Sequence, residues 1–269
     1  MEKMSDHRVA IITGAGSGIG RGIATELVGA GIRCVLTGRR LKPLQESADM
    51  ISGDRDRLLI IQSDVTLAAD RARIVSESLE KFGHIDILVN NAGISRKAPL
   101  LDYGEEEWRQ VMNTNLDSCF FLAKAVIPHM RDNGWGRIIN IASVYSTLVL
   151  NNDLYSEMLP KENEEGRGPT RQPAYHASKG GLLTLTRELA AALAPWGITV
   201  NAISPGMIMT EQSKDVVNDS VIRKLKAMTP VGRFGEPWEI GYAVLFLASE
   251  KTSFITGIEL RVDGGWSIW

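Results

Sequence analysis

The stretch QPAYHASKGG, residues 172–181, contains a tyrosine and a lysine four positions apart, Tyr175 and Lys179. On a helix these two side chains lie on one face, one turn apart. A free phenol loses its proton at about pH 10, and a nearby ammonium favours the phenolate. The pair therefore predicts acid–base chemistry, in which Tyr175 exchanges a proton with a substrate and Lys179 lowers the Tyr175 pKa towards neutrality. His176 would point about 100° away on the same helix and is not expected to be the base.

A glycine-rich turn precedes the first helical pattern. The sequence VAIITGAGSGIGRGIA places Gly14, Gly18 and Gly20 between an apolar run and a helix. Glycine lets the backbone turn tightly and approach a ligand, and the free N–H groups at a helix N-terminus favour an anion. The turn therefore predicts a cradle for a dinucleotide phosphate. The alternative is a tight strand–helix turn without a ligand.

Two arginines, Arg39 and Arg40, follow Gly38 at the end of the second apolar run, where many dinucleotide sites carry a carboxylate that binds the ribose 2′-hydroxyl. A carboxylate would repel a 2′-phosphate, whereas a guanidinium can bind one through two hydrogen bonds. We therefore expect NADP to be preferred over NAD. Ser17 supplies no second basic group in the glycine turn, and two arginines at a solvated helix start would leave the preference open.

The elements that position these residues alternate between apolar, β-rich runs and helical patterns. Uninterrupted apolar runs suit parallel strands that are covered on both faces, and repeated strand–helix units indicate an open, doubly wound sheet. We predict a single α/β domain over residues 1–269 with helices on both faces. Strands are predicted at 8–13, 32–37, 57–62, 85–90, 136–142, 198–204 and 257–263, and helices near 18–30, 41–51, 67–82, 105–133, 173–195 and 237–249.

Bulk properties restrict the class of protein. The chain has 269 residues, 44% of them hydrophobic, and a formal net charge of -2. This charge provides no basic field for nucleic acid or a membrane surface, and the sequence shows neither a spanning segment nor a signal peptide. Cys34 and Cys119 lie in apolar runs and are expected to be core residues, and the histidines show no metal-binding spacing. These features favour a cytoplasmic enzyme or binding protein that acts on a small molecule without a metal ion.

With these residues in place, the chain resembles the short-chain dehydrogenase/reductase superfamily from about residue 8 to the end. The motifs that carry the resemblance, each weak alone, occur in the family's order: TGAGSGIG (13–20), DVT (64–66), NNAG (90–93), NTNL (113–116), INIAS (139–143), YHASK (175–179), SPGMIMT (204–210) and VDGGW (262–266). The resemblance implies a Rossmann-like fold whose seven strands have the order 3-2-1-4-5-6-7. It also implies a homotetramer or homodimer built on the last two helices and the last strand.

The resemblance further implies the site residues. The catalytic set would be Asn115, Ser143, Tyr175 and Lys179. The nicotinamide cofactor would contact Tyr175, Lys179 and the following residues: Gly14, Ser17, Gly18, Ile19, Gly20, Arg39, Arg40, Asp64, Val65, Asn90, Asn91, Ala92, Gly93, Pro205, Gly206, Ile208 and Thr210. Ser143 would donate to the substrate oxygen, Lys179 would hydrogen-bond the nicotinamide ribose, and Asn115 would hold a proton-relaying water.

One segment departs from the family pattern. Tyr175 follows Ser143 by 32 positions, where many relatives have roughly a dozen, and the additional residues lie within about 147–171. This inserted loop starts at a strand end that faces the substrate, so we expect a lid or wall of the substrate pocket; a subunit contact or a disordered excursion are the alternatives. Because of the long spacing, Ser146 is an alternative to Ser143. A second substrate element is expected in a flap over residues 207–235.

The expected reaction is NAD(P)-dependent interconversion of a secondary alcohol and a ketone. The ending VDGGWSIW resembles that of sugar-acid and polyol dehydrogenases, gluconate 5-dehydrogenase among them, and also that of 3-oxoacyl carrier-protein reductases. A sugar, sugar acid or polyol is ranked first as substrate and a 3-oxoacyl thioester second. The rival of another class is a non-catalytic NADP-binding sensor. Taken alone, a Tyr/Lys pair is also typical of a solvated helix face.

Overall fold

A parallel sheet forms the centre of the computed structural model, which describes residues 7–51, 55–155, 166–211 and 219–268. Its strands are β1 (Val9–Thr13), β2 (Arg33–Gly38), β3 (Leu58–Gln62), β4 (Ile87–Asn90), β6 (Gly136–Ile141), β8 (Ile198–Pro205) and β9 (Glu259–Val262). They pair in the order β3-β2-β1-β4-β6-β8-β9, all parallel. Two short strands, β5 (Ala98–Pro99) and β7 (Thr170–Arg171), form a separate antiparallel pair. With these two set aside, the predicted order 3-2-1-4-5-6-7 is confirmed.

Helices cover both faces of the sheet, as predicted. They are α1 (Gly18–Gly29), α2 (Leu41–Met50), α3 (Ala68–Phe82), α4 (Glu105–Met112), α5 (Ser118–Asp132), α6 (Pro173–Leu193), α7 (Asp219–Met228) and α8 (Pro237–Ala248). Successive strand residues point to opposite faces, so Ala10 and Ile12 pack with α1 and α8, while Val9 and Ile11 pack with α3, α5 and α6. Each large apolar side chain buried in this way contributes about 1.5–3 kcal/mol. This two-sided burial explains why the strands are apolar without interruption.

The helical segment predicted over 105–133 is interrupted. A π-helical turn, Asn113–Asp117, separates α4 from α5 and buries the Asn115 side chain completely. A π turn contains one more residue than the α-helix it replaces, and such turns occur frequently at functional sites. The interruption therefore falls at a residue that the motifs had singled out.

The inserted segment is anchored at both described ends, and residues 156–165 lie outside the described residues. The chain from Asn152 to Tyr155 forms a 3₁₀ turn, and β7 pairs with β5. Asn152 Nδ2 donates to the Thr170 carbonyl at 3.2 Å, and the Arg171 guanidinium donates to the Leu150 carbonyl at 2.6 Å. The described parts of the insertion are thus tied to each other and to the strand next to the glycine-rich cleft described below. The flap predicted over 207–235 contains α7, and its residues 212–218 also lie outside the described part.

Other expectations concern the surface and the cysteines. Both cysteines are buried free thiols, as predicted. Among the described residues, no helix is long and apolar enough to cross a membrane, and no group of three or more His, Cys, Asp or Glu side chains could hold a metal ion. Large apolar side chains are exposed on α8 and just after it, with Phe254 fully exposed and Trp238, Tyr242 and Phe246 about half exposed.

Candidate active site

Ser143 and Tyr175 meet beyond the carboxyl end of β6. Ser143 follows this strand by two residues, and Tyr175 lies in the first turn of α6. The Ser143 Oγ accepts a hydrogen bond from the Tyr145 backbone N–H at 3.1 Å, and the Ser143 side chain lies close enough to the Tyr175 phenol to lower its pKa. Ser146 instead uses its Oγ to accept from the Ser143 backbone N–H at 3.3 Å. The structure therefore brings Ser143 to Tyr175 and gives Ser146 the role of a cap.

Lys179 lies one turn after Tyr175 and is buried. Its Nζ lies 5.9 Å from the centre of the Tyr175 ring and donates to the Ile141 backbone carbonyl at 2.6 Å. Burial lowers the pKa of Lys179, because a desolvated ammonium is disfavoured. The predicted juxtaposition of phenol and lysine on one helix face is observed.

The expected lowering of the Tyr175 pKa is not observed in the protein chain. Burial raises the pKa of the Tyr175 phenol, and the nearby Ser143 side chain opposes this only in part. The physical reason is that desolvation penalises the phenolate, while Lys179 is itself desolvated. The Tyr175 phenol therefore keeps its proton at neutral pH.

Asn115 connects the π turn to the chain that follows β4. Its Oδ1 accepts from the Ile94 N–H at 2.8 Å, and its Nδ2 donates to the Ile94 carbonyl at 2.9 Å and to Ser178 Oγ at 3.1 Å. A Cβ added to Gly93 would lie 3.4 Å from Asn115 Oδ1 and 3.6 Å from Lys179 Nζ. The Asn115 amide thus holds the backbone of Gly93 and Ile94 beside Lys179, and both of its polar atoms are used in these hydrogen bonds.

A cleft of about 600 Å³ opens at the carboxyl ends of β1, β2 and β4. Most of the predicted cofactor residues line it: Gly14, Ser17, Gly18, Ile19, Gly20, Arg39, Arg40, Asp64, Val65, Asn91, Ala92, Gly93 and Thr210. Further lining residues had not been predicted, because nothing in their residue type marks them: Gly16, Gly38, Pro43, Leu44, Ser63, Ile94, Ser95, Arg96, Thr114 and Glu211. Only their positions could have indicated them: Gly16 lies within the glycine motif, and Ile94 directly follows the motif NNAG.

Other predicted cofactor residues lie outside this cleft. Asn90 is buried, and its Nδ2 donates to Asn140 Oδ1 at 2.9 Å, which links β4 to β6. Gly206 follows β8, where a Cβ would approach the Asp263 Cα to 2.6 Å, and Pro205 ends that strand. Ile208 lines a separate cavity of about 90 Å³. Tyr175 and Lys179 also lie outside the cleft lining. Gly93 lines the cleft and lies next to the Lys179 ammonium group, so it connects the two regions.

The glycine turn fits a dinucleotide phosphate. Gly14 and Gly18 have positive φ angles of 67° and 51°, which favour glycine, and a Cβ at Gly20 would overlap the Gly14 carbonyl oxygen. The turn leads directly into α1, whose first N–H groups have no partner within the helix. Because any side chain would fill this cradle, the residues present fit the pyrophosphate of a nicotinamide dinucleotide.

The two arginines after β2 are exposed and line the far part of the cleft, as a 2′-phosphate site requires. Asp64, which follows the neighbouring strand β3, accepts from the Thr66 N–H at 2.9 Å and from Thr66 Oγ1 at 2.7 Å. The Asp64 carboxylate is therefore held within its own turn. Gly38 leaves the position beside β2 without a carboxylate.

An ion pair that the sequence did not predict closes the cleft towards the flap. The Arg21 guanidinium donates to Glu211 Oε1 at 2.7 Å, to Ser47 Oγ at 2.9 Å and to the Gly16 carbonyl at 2.9 Å. One side chain thus ties the glycine turn, α2 and the start of the flap together. The spacing of these residues in the sequence gives no signal for this contact.

Comparison with known proteins identifies the family. A sequence model of the family described as short chain dehydrogenase matches residues 8–156. The chain belongs to the short-chain dehydrogenase/reductase family. A second family model, described as enoyl-(acyl carrier protein) reductase, matches residues 163–267. The resemblance expected from the motifs is confirmed, and this short-chain dehydrogenase/reductase is an NAD(P)-dependent oxidoreductase.

Relatives of this short-chain dehydrogenase/reductase include proteins whose names state different substrates. A 3-oxoacyl-[acyl-carrier-protein] reductase FabG of Vibrio cholerae is 37% identical over 260 residues, which cover 97% of each chain. A 2-dehydro-3-deoxy-D-gluconate 5-dehydrogenase of Escherichia coli is 33% identical, over 97% of this chain and 96% of the relative. Among solved structures, a short-chain type dehydrogenase/reductase from Mycobacterium marinum is 33% identical and covers 97% of this chain and 95% of its own, with a TM-score of 0.83.

Proposed function

We propose that the protein interconverts a secondary alcohol and a ketone, with Tyr175 as the acid and base. The observation that carries the proposal is the proximity of Ser143 to the Tyr175 phenol, with Lys179 one turn away and Gly93 leading into the cleft. When bound, the nicotinamide cofactor supplies or accepts the hydride.

The protein's own residues supply the proton and the polar environment. The Tyr175 phenol, protonated at neutral pH, donates its proton to the carbonyl oxygen as negative charge develops there. The Ser143 hydroxyl, fixed by the Tyr145 N–H, lies close enough to the phenol to donate to the same oxygen. Lys179 spends one N–H on the Ile141 carbonyl and has two further donors, which we assign to the ribose next to the nicotinamide.

The proposed cofactor is NADP, with NAD as the alternative. Its pyrophosphate would lie against the glycine turn, and Arg39 and Arg40 would bind the 2′-phosphate. Thr210, at the same wall as Gly18, would face the nicotinamide half. Support comes from the exposure of both arginines and from the absence of a carboxylate at Gly38.

The proposed substrate is a sugar, a sugar acid or a polyol, and the runner-up is a 3-oxoacyl thioester. The names of the relatives divide between these two classes. The hydroxyl groups of Tyr145 and Tyr155, in the segment that follows Ser143, favour the sugar, sugar acid or polyol. An oxygen-rich substrate can form hydrogen bonds with them.

We further propose a cytoplasmic homotetramer or homodimer that uses α8 and β9. The half-exposed aromatic side chains of α8 and the exposed Phe254 support an interface there, since such aromatic patches are enriched where proteins associate.

The test is a Tyr175→Phe variant assayed for NADPH oxidation with 5-keto-D-gluconate, an acetoacetyl thioester and cyclohexanone. We expect kcat to fall by about 10²- to 10⁴-fold on whichever ketone is reduced, with unchanged NADPH affinity. Tyr103→Phe removes the same atom from a half-buried tyrosine whose hydroxyl makes no hydrogen bond among the described residues, and serves as the control. An unaltered rate in Tyr175→Phe would refute the role of Tyr175. Tight NADPH binding by the wild type without reduction of any ketone would instead favour the sensor.

A further inference from the structure

Two tyrosine hydroxyls lie side by side next to the catalytic pair. Tyr145 follows Ser143 by two residues, and Tyr155 is the last residue of the 3₁₀ turn in the inserted segment. Their hydroxyl oxygens are 3.2 Å apart, and both side chains are half-buried. The Tyr175 phenol is near enough to raise the pKa of Tyr145, after burial and Tyr155. The insertion therefore brings the Tyr155 hydroxyl to Tyr145, two residues after Ser143.

Both rings are held in place by packing. The Tyr145 ring lies 5.1 Å from the His176 ring, measured between centres, and His176 Nδ1 donates to the Gln172 carbonyl at 3.0 Å. This contact gives His176 a positioning task. The Tyr155 ring packs, together with its neighbour Leu154, against a buried cluster of the flap: Val221, Leu225 and Phe234, with Met207 and Trp266 beside it. Leu154 and Tyr155 of the insertion thus pack against the described part of the flap.

The hydrogen bonds of the pair leave one donor poorly used. Either hydroxyl of the pair can donate to the other. The Tyr155 hydroxyl also donates to the Met207 sulfur at 3.8 Å, and with its one proton used there it accepts from Tyr145. A thioether is a weak acceptor, whereas a hydroxyl or carboxylate oxygen is a strong one. A substrate oxygen could therefore replace the sulfur as partner of Tyr155.

We propose that Tyr155, supported by Tyr145, binds a hydroxyl or carboxylate oxygen of the substrate and so selects a small polyhydroxy ketone or its alcohol. The proposal rests on the proposed function, because it takes the reacting carbonyl to lie between Ser143 and Tyr175. An apolar chain at this position would remove the Tyr155 hydroxyl from water without supplying an acceptor, which is unfavourable. The inserted segment thereby acts as a specificity element rather than a plain cover.

The test compares Tyr155→Phe with the wild type on 5-keto-D-gluconate and on cyclohexanone, which has no second oxygen. We expect kcat/KM for 5-keto-D-gluconate to fall about 10-fold or more, mainly through KM, and kcat/KM for cyclohexanone to stay within about twofold. Tyr103→Phe, at a tyrosine outside the cleft lining, should leave kcat/KM for both substrates unchanged. Equal losses on both ketones, or no loss on either, would overturn the proposal.

Two further measurements keep the outcomes distinct. Calorimetric titration of D-gluconate into the enzyme with NADPH reads binding without turnover, because alcohol and cofactor are then both reduced, and about 10-fold weaker binding to Tyr155→Phe is expected; equal affinities would count against the proposal. Wild-type enzyme that reduces cyclohexanone or the acetoacetyl thioester but not 5-keto-D-gluconate would leave the oxidoreductase function standing and refute the role of Tyr155. Should Tyr155→Phe unfold, Tyr145→Phe, which keeps the Tyr155 donor but removes its support, should raise the KM for 5-keto-D-gluconate by a smaller factor; an unchanged KM would refute the pair.

Discussion

The Ser143 hydroxyl oxygen accepts a hydrogen bond from the Tyr145 backbone N–H at 3.1 Å, and the same side chain lies close enough to Tyr175 to lower the pKa of its phenol. One lone pair is thus occupied by the backbone, which leaves the hydroxyl proton available to an oxygen bound beside the phenol. This arrangement orients a donor before a substrate arrives, which is the condition for effective stabilisation of a developing oxyanion.

Ser143→Ala should lower kcat by about 10²- to 10³-fold, because it removes a preorganised donor from the reacting oxygen. The matched control is Ser146→Ala, which removes only the Oγ that accepts from the Ser143 N–H. Steady-state rates of ketone reduction with NADPH provide the measurement. If the Ser146 variant lost more activity than the Ser143 variant, the assignment of the donor would have to be reversed.

Arg39→Asp should lower the ratio of NADP to NAD efficiency by about 100-fold, since it replaces a partner of the 2′-phosphate with a group that repels it. Lys42→Asp makes the same change of charge at an exposed residue of α2 outside the cleft lining and should alter the ratio little. The measurement is kcat/KM for both cofactors at constant ionic strength. An unchanged ratio in Arg39→Asp would contradict the proposed NADP preference.

The direction of the Tyr175 pKa predicts how the two reaction directions depend on pH. Reduction needs the protonated phenol, which the raised pKa maintains from neutral into alkaline pH, so kcat/KM for the ketone should stay flat there and fall only at higher pH. Oxidation needs the phenolate, so its rate should rise with pH throughout the alkaline range. Profiles at saturating cofactor test this, with circular dichroism to verify folding. Reduction that falls with a midpoint near neutrality would show that a lowered pKa, as first expected from the sequence, governs the working enzyme.

Asn115→Ala should reduce the free energy of unfolding by about 2–4 kcal/mol, because the Ile94 N–H and carbonyl both lose their partners in a buried site. Asn113→Ala alters an exposed residue of the same π turn and should change stability by less than about 0.5 kcal/mol. Urea unfolding followed by fluorescence gives both values. Similar stabilities for the two variants would mean that the Asn115 amide does not hold this backbone in solution.

The sheet could be predicted from the sequence because each strand can be identified from its own short run of mainly apolar residues. The residues Val9–Ile12 of the first run, for example, are all apolar and buried, and burial on both faces favours this pattern. The glycine turn could also be predicted, because the positive φ angles of Gly14 and Gly18 favour glycine and so leave a visible motif in the sequence.

Contacts between distant parts of the chain were not predictable in the same way. The pair of β5 and β7 has only two residues per strand, too few for a periodic signal. The ion pair between Arg21 and Glu211 and the contact between Tyr145 and Tyr155 depend on how the flap and the insertion pack. The raised pKa of Tyr175 could not be predicted from the sequence. The spacing of Tyr175 and Lys179 indicates that a charge is nearby, but it does not indicate that both groups are removed from water.

The π turn has a consequence for changes of chain length. Each residue advances a helix by about 100°, and the π turn over Asn113–Asp117 takes up one additional residue so that α5 keeps its phase relative to α4. Deleting one residue there would restore an uninterrupted α-helix but would move Asn115 from the position in which it binds Ile94, whereas inserting one would rotate Cys119 out of the core and Phe121 towards it. This joint should therefore tolerate exchanges of residue type at its exposed positions far better than the loss or gain of a single residue.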